Sequence, residues 1–154
     1  MSPTPPFDLG QAHRWFSADF FNRTWGYLDQ DELSCEDSER MLSAAHASLA
    51  HWQERDDATP QNLSIGYWQV SRVYAVLELG EMAHRYGVLS LLSAEDEPPF
   101  YRAYAHEALA RAAKVAGNPE RQREHFEKAL RCAEEVADKD DRALLETDLV
   151  DLRP

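Results

Sequence analysis

The sequence predicts an all-α fold, on three observations. Apolar residues recur at helical spacing through nearly the whole chain. Period-two alternation is missing, and no Asn-Gly or Asp-Gly pair offers a hairpin turn. Short polar or proline-bearing breaks separate the periodic stretches, so consecutive helices are expected to run antiparallel.

The elements follow in order. Residues 1–9 hold three prolines and no basic, apolar leader pattern, so they read as a flexible lead-in to one helical domain over 10–150. A first amphipathic helix is expected over about 10–29, with Trp15, Phe16, Phe20 and Tyr27 broadly on one side. After the polar turn at Asp29-Gln30-Asp31, Ser34 offers an N-cap and Glu36 and Asp37 favour the first turn of a second helix. That helix runs to about Arg55 and carries Met41, Leu42, Ala45, Leu49 and Trp52. The break at 56–60 leads into a third helix, about 61–79, that is apolar on nearly all sides and therefore central. Gly80 is expected to close it as a C′ glycine. A fourth helix over about 81–92, an acidic turn at 95–99 and a fifth helix over about 100–116 ending at Gly117 come next. Asn118-Pro119 places a capping side chain before a proline at the first helical position, so a sixth helix runs from there to about Ala137. Residues 138–141 read as a turn, and 143–149 as a short closing helix.

Composition bounds the function. The 154 residues carry 28 acids against 16 bases, a formal charge of -12, which argues against nucleic acid and anionic membranes as partners. Cys35 and Cys132 have no CxxC spacing, so reduced thiols in a cytoplasmic protein are expected. No apolar run approaches the ~20 residues of a membrane span.

Helices three and four form a hairpin bent at Gly80, and helices five and six another bent at Gly117, 37 residues further on. Leu109 and Ala110 precede the second bend; Phe126, Ala129 and Leu130 follow it. This pattern resembles the tetratricopeptide repeat over about 61–137. Arg85 and Gln122 depart from it, standing where that family prefers alanine. Three phrases, Ala45-His46-Ala47-Ser48 with His51-Trp52, Trp68-Gln69-Val70-Ser71-Arg72-Val73-Tyr74 and Glu107-Ala108-Leu109-Ala110-Arg111, also resemble a group of bacterial tetratricopeptide-like proteins. The resemblance implies stacked antiparallel hairpins and no reaction. It further implies a concave face, lined by the first helix of each hairpin, that binds peptides or partner proteins. Tyr67, Tyr74 and Tyr104 are the expected aromatic residues of that groove.

The polar residues offer few chemical motifs. His46 and His51 are five apart, about 140° around a helix, so they do not share a face. Glu81-x-x-His84 has the spacing of a di-iron motif, but only one copy exists, and no metal or cofactor is expected. HExxH and the glycine-rich nucleotide motifs are absent, and no catalytic set emerges. Arg72 lies in an almost wholly apolar helix and needs an anionic partner; Glu107 is the expected one. Arg72 reads as half of a structural link fixing helix register, as an anion clamp in a groove with His46, His51, Ser71 and Arg111, or as a residue simply exposed at the surface. The acids of 54–57, 95–97 and 138–141 should gather at one end of an up-down bundle. That acidic pole serves either solubility or the docking of a basic partner.

Two functions fit these features. The first is a non-enzymatic module binding a peptide, a partner protein or its own copy, a homodimer through the aromatic first two helices. The alternative is a small-molecule binder or enzyme, with a polar pocket between helices two, three and five built from His46, His51, Ser71, Arg72, Glu107 and Arg111.

Overall fold

A computed structural model describes residues 4–154; Met1–Pro3 of the expected lead-in lie outside the described residues. Seven α-helices follow one another: α1 (Leu9–Leu28), α2 (Cys35–Gln53), α3 (Pro60–Val76), α4 (Gly80–Ser93), α5 (Pro99–Val115), α6 (Pro119–Glu134) and α7 (Lys139–Leu149). A 3₁₀ turn, Val150–Leu152, closes the chain. They pack as sequential pairs, α1 on α2, α3 on α4 and α5 on α6, with α7 against the last pair. The first helices also meet, α1 with α3 and α3 with α5, so α3 and α5 form the interior. Each buries nine residues, and α5 shares the central position that the apolar pattern assigned to α3 alone.

The helix starts follow their capping chemistry. Ser34 Oγ accepts the Asp37 amide at 3.1 Å, as its place before an acidic first turn predicts. Asn118 Oδ1 accepts the Arg121 amide at 3.0 Å, with Pro119 at the first helical position. Two further starts are capped by groups the sequence reading did not assign, and one of them, α7, begins earlier than expected. Thr59 and Asn62 form a reciprocal capping box that begins α3 at Pro60. Asp138 accepts the amides of Asp140 and Asp141, so the expected turn at 138–141 is the capped first turn of α7. Its carboxylates lie where the helix dipole stabilises them.

The bend after α3 corrects the role given to Gly80. Glu78, at φ 60°, is the left-handed residue. The Leu79 amide donates to Tyr74 O at 2.9 Å and the Glu78 amide to Ala75 O at 3.0 Å, the paired bonds of a Schellman closure. Gly80 instead opens α4, where a Cβ would lie 3.1 Å from both the Cβ and the backbone N of Ala116. Its lack of a side chain lets this bend touch the next one. Gly117, at φ 67°, does close α5, with the Asn118 amide donating to Ala113 O at 2.9 Å.

Serine hydroxyls link the first two pairs. Ser48 Oγ donates to Ser17 O at 2.7 Å, between α1 and α2. Ser64 and Ser90 donate to each other's carbonyls at 3.0 and 2.9 Å, and Ser71 donates to Ala83 O at 2.7 Å, between α3 and α4. Small side chains allow these close approaches, and each buried hydroxyl is satisfied. The apolar interior falls into three groups. One surrounds Met41, Val70 and Val73, one surrounds Trp68, Tyr104 and Leu145, and one joins Phe126, Leu149 and Leu152 under α6 and α7. Gln122, in a position where alanine would match the repeat pattern, donates to Leu152 O at 3.0 Å and ties α6 to the closing turn. No helix of the described residues is long and apolar enough to cross a membrane.

Candidate functional site

The site begins with a row of aromatic rings across the first helices. Trp25 of α1 stands 5.7 Å from Trp68 of α3, Trp68 stands 5.1 Å from Tyr104 of α5, and Tyr104 stands 5.0 Å from Phe100. Their spacing suits tilted and edge-to-face contact. Trp68 and Tyr104 are almost wholly buried, so their polar tips need partners. The Trp68 indole Nε1 donates to Glu107 Oε2 at 2.7 Å, and the Tyr104 hydroxyl donates to Asp148 Oδ2 at 2.9 Å. Burial, then the Asp148 charge, pushes the Tyr104 hydroxyl well above the usual phenol range and keeps it a donor.

Glu107 is 0% exposed and joins three side chains. Besides Trp68 it receives Arg72 Nη1 at 3.0 Å and Arg111 Nε at 2.7 Å, both on Oε1. Arg111 Nη2 also approaches Oε1 at 2.6 Å and donates to Asp148 O at 3.2 Å. A buried carboxylate is tolerable only with such compensation. A carboxylate committed to three donors is not free to act as a base. The arginine side chains are 20% and 17% exposed. Among the described residues, Arg72 Nε and Nη2 and Arg111 Nη1 have no hydrogen-bond partner. Arg111 also lines a groove of about 670 Å³ with Ala75, Val76, Glu78, Lys114 and Val115. At the opposite ends of α3 and α5, a cavity of about 240 Å³ opens between Ala18, Asn22, Ile65 and Tyr101.

The sequence-derived residues divide among four places. Arg72, Glu107, Arg111 and Tyr104 meet, and the expected Arg72–Glu107 pair forms. His46 lies elsewhere, its Nε2 2.9 Å from the Tyr74 hydroxyl, with both rings against Tyr86 of α4. Tyr74 is two residues beyond Arg72, about 200° around α3, and so points away from the groove. Tyr67 also meets Tyr86, and its hydroxyl accepts Gln53 Nε2 at 3.1 Å. Of the three tyrosines expected to line the groove, Tyr104 alone belongs to the aromatic row. His51 faces α1, its Nδ1 2.9 Å from His13 Nδ1. Ser71 is spent on Ala83. The polar pocket expected between helices two, three and five therefore does not assemble, because its histidines sit on other faces of α2.

Trp68 and Asp148 belong to the cluster and are not among the expected site residues. Trp68 carried a signal, since it precedes Arg72 by one helical turn and shares its face. Asp148 carried none, because α7 reaches α5 only through tertiary packing. Of the turns expected to form an acidic pole, 95–97 is tied to the start of α3, where Gln61 Nε2 donates to Glu97 at 2.7 Å, and Arg102 of α5 reaches Glu135, just before 138–141, at 3.5 Å. Asp57 of the 54–57 turn is held at about 2, first by its hydrogen bond from Arg55.

Two histidine pairs join helices of a pair, His13–His51 and His106–His125, the latter with Nδ1 atoms 3.1 Å apart. Burial, followed by the His125 charge, pushes His106 down to about 4. Burial is also the first cause lowering His125, His46 and His51. A folded-state pKa below the unfolded value of 6.5 means that the unfolded chain takes up protons first as pH falls. The stability these neutral rings allow is fully present above pH 6.5 and is lost as pH falls toward 4. His106 alone should contribute about 1–2 kcal/mol of this loss after allowance for solvent screening. Thermal melts should therefore hold level from pH 8 to 7 and fall steadily down to pH 4.5, and His106→Gln should flatten that fall.

Comparison of the chain with models of known protein families, with curated proteins and with solved structures finds no match in any of the three.

Proposed function

We propose that this protein is a non-enzymatic interaction module, and that the groove side of α3 and α5 receives a peptide or protein partner. The observation that carries this reading is the Glu107 cluster. One buried carboxylate holds Arg72 and Arg111 in place and leaves guanidinium N–H groups uncommitted on both, and Arg111 stands beside an open groove. Fixed arginine forks suit carboxylates and backbone carbonyls, and preorganisation lowers the entropy lost on binding. In the same reading, the three helix pairs form a short tetratricopeptide-like array closed by α7. The contacts α1–α3 and α3–α5, which place the first helices side by side, support that arrangement. Free Cys35 and Cys132 agree with work in a reducing cytoplasm.

The test is photocrosslinking in living cells from a benzophenone side chain at one of two exposed positions, Val76 in the groove and Val88 on α4. The expected result is a discrete crosslinked band from Val76 and none from Val88. Bands of equal strength from both positions, or none from Val76, would overturn the proposal.

A further inference from the structure

A cavity of about 230 Å³ lies between α4, α5 and α6, apart from the Glu107 cluster. Its floor is Leu109, Ala112, Ala113 and Ala116 of α5, and its rim carries Glu81, His84, Arg121 and His125. Glu81 and His84 are three residues apart on α4, and Arg121 and His125 four apart on α6, so each pair shares a face. This is where the isolated Glu-x-x-His motif of the sequence ends up. Among the described residues, the side chains of Glu81, His84 and Arg121 make no hydrogen bond or ion pair. His125 is oriented from behind by His106, its Nδ1 3.1 Å from the His106 Nδ1.

The four rim groups restrict what fits. No group of three ligating side chains among the described residues could hold a metal ion, and a guanidinium on the rim opposes a bare cation. A simple anion would satisfy Arg121 and leave Glu81 facing like charge. A molecule with both an ammonium and a carboxylate answers each. The alanine floor asks for a small aliphatic group rather than a further polar one. At the ~30 Å³ that one water occupies in the liquid, the space holds on the order of ten non-hydrogen atoms.

We infer that the cavity between α4, α5 and α6 binds a free α-amino acid with a small aliphatic side chain. Its ammonium group meets Glu81, its carboxylate meets Arg121 and the His125 ring, and its side chain lies on Ala113 and Ala116. This site goes beyond the partner surface on α3 and α5.

The experiment is an NMR titration of the full chain with L-alanine, L-valine and L-leucine up to millimolar concentration. N-acetyl-L-valine and L-valinamide, each lacking one charge, serve as comparison ligands. The expected result is saturable shift changes at His84, Ala113, Ala116 and His125 with at least one of the three amino acids. Glu81→Gln, Arg121→Gln and either capped ligand should each weaken binding by roughly tenfold to a hundredfold. Glu81 and Arg121 are exposed, so both variants should melt with the wild type, which separates lost binding from lost fold. No saturable change with any of the three amino acids, or unchanged affinity in both variants, would overturn the inference. Neither outcome bears on crosslinking from Val76, so the two sites succeed or fail separately.

Discussion

Glu107→Ala should destabilise the protein by about 3–5 kcal/mol, because it leaves two arginines and an indole N–H around a site with no acceptor. For a chain of 154 residues that is a fall of about 10 °C or more in Tm. The size of the effect follows from geometry. Trp68 Nε1, Arg72 Nη1 and Arg111 Nε all donate to the one carboxylate, and that carboxylate is inaccessible to water. Glu107→Gln keeps the shape and an acceptor oxygen but removes the charge, so it should cost less, about 2–3 kcal/mol. If the cost is electrostatic, removing the cations together with the carboxylate should restore much of it. A triple variant with Glu107→Leu, Arg72→Met and Arg111→Met should melt above Glu107→Ala. Chemical denaturation of the three variants measures this. A loss below about 1 kcal/mol for Glu107→Ala would show that water reaches the arginines and that the cluster is not held as described.

The second large effect concerns the closing helix. Leu145→Ala should cost about 3 kcal/mol, whereas Leu144→Ala should stay within about 0.5 kcal/mol. Leu145 is 0% exposed and packs with Trp68, Tyr104, Ala133 and Val136, while its neighbour Leu144 is 52% exposed. The contrast between adjacent leucines reads the register of α7. It also tests whether α7 is part of the interior, since Leu149 and Leu152 are buried on the same side and Asp148 holds the Tyr104 hydroxyl. Equal effects at the two positions would mean that α7 is not docked on α5.

Much of this architecture was legible in the sequence where a local rule had a single physical solution. Ser34 before two acids and Asn118 before Pro119 could do little else than begin helices. Arg72 in an apolar helix required an anion, and Glu107 was available on the next hairpin. Gly80 misled because a glycine after a periodic stretch suits two different tasks. The chain used Glu78 for the left-handed closure and kept Gly80 for contact with Ala116, a demand that comes from another hairpin and leaves no trace nearby. The start of α7 at Lys139 was missed because Asp138, Asp140 and Asp141 look like a polar turn, although the same charges cap a helix. The polar pocket failed for a geometric reason. His46 and His51 were known not to share a face, and the structure sends one to Tyr74 and the other to His13. Which neighbour each would meet depended on packing between helices distant in sequence. The cavity carrying Glu81, His84, Arg121 and His125 was invisible for the same reason, since it exists only where α4 and α6 flank α5.

In the proposed function Glu107 positions Arg72 for a partner, and Arg72 contributes less to the fold than Glu107 does. Arg72→Met tests this when stability and crosslinking from Val76 are measured on the same variant. Glu107 would keep Arg111 and Trp68, so the carboxylate stays compensated, and methionine replaces most of the buried arginine stem. The expected result is a stability loss of about 1–2 kcal/mol with the crosslink abolished. A loss above about 3 kcal/mol with the crosslink retained would contradict the account and make Arg72–Glu107 a structural pair.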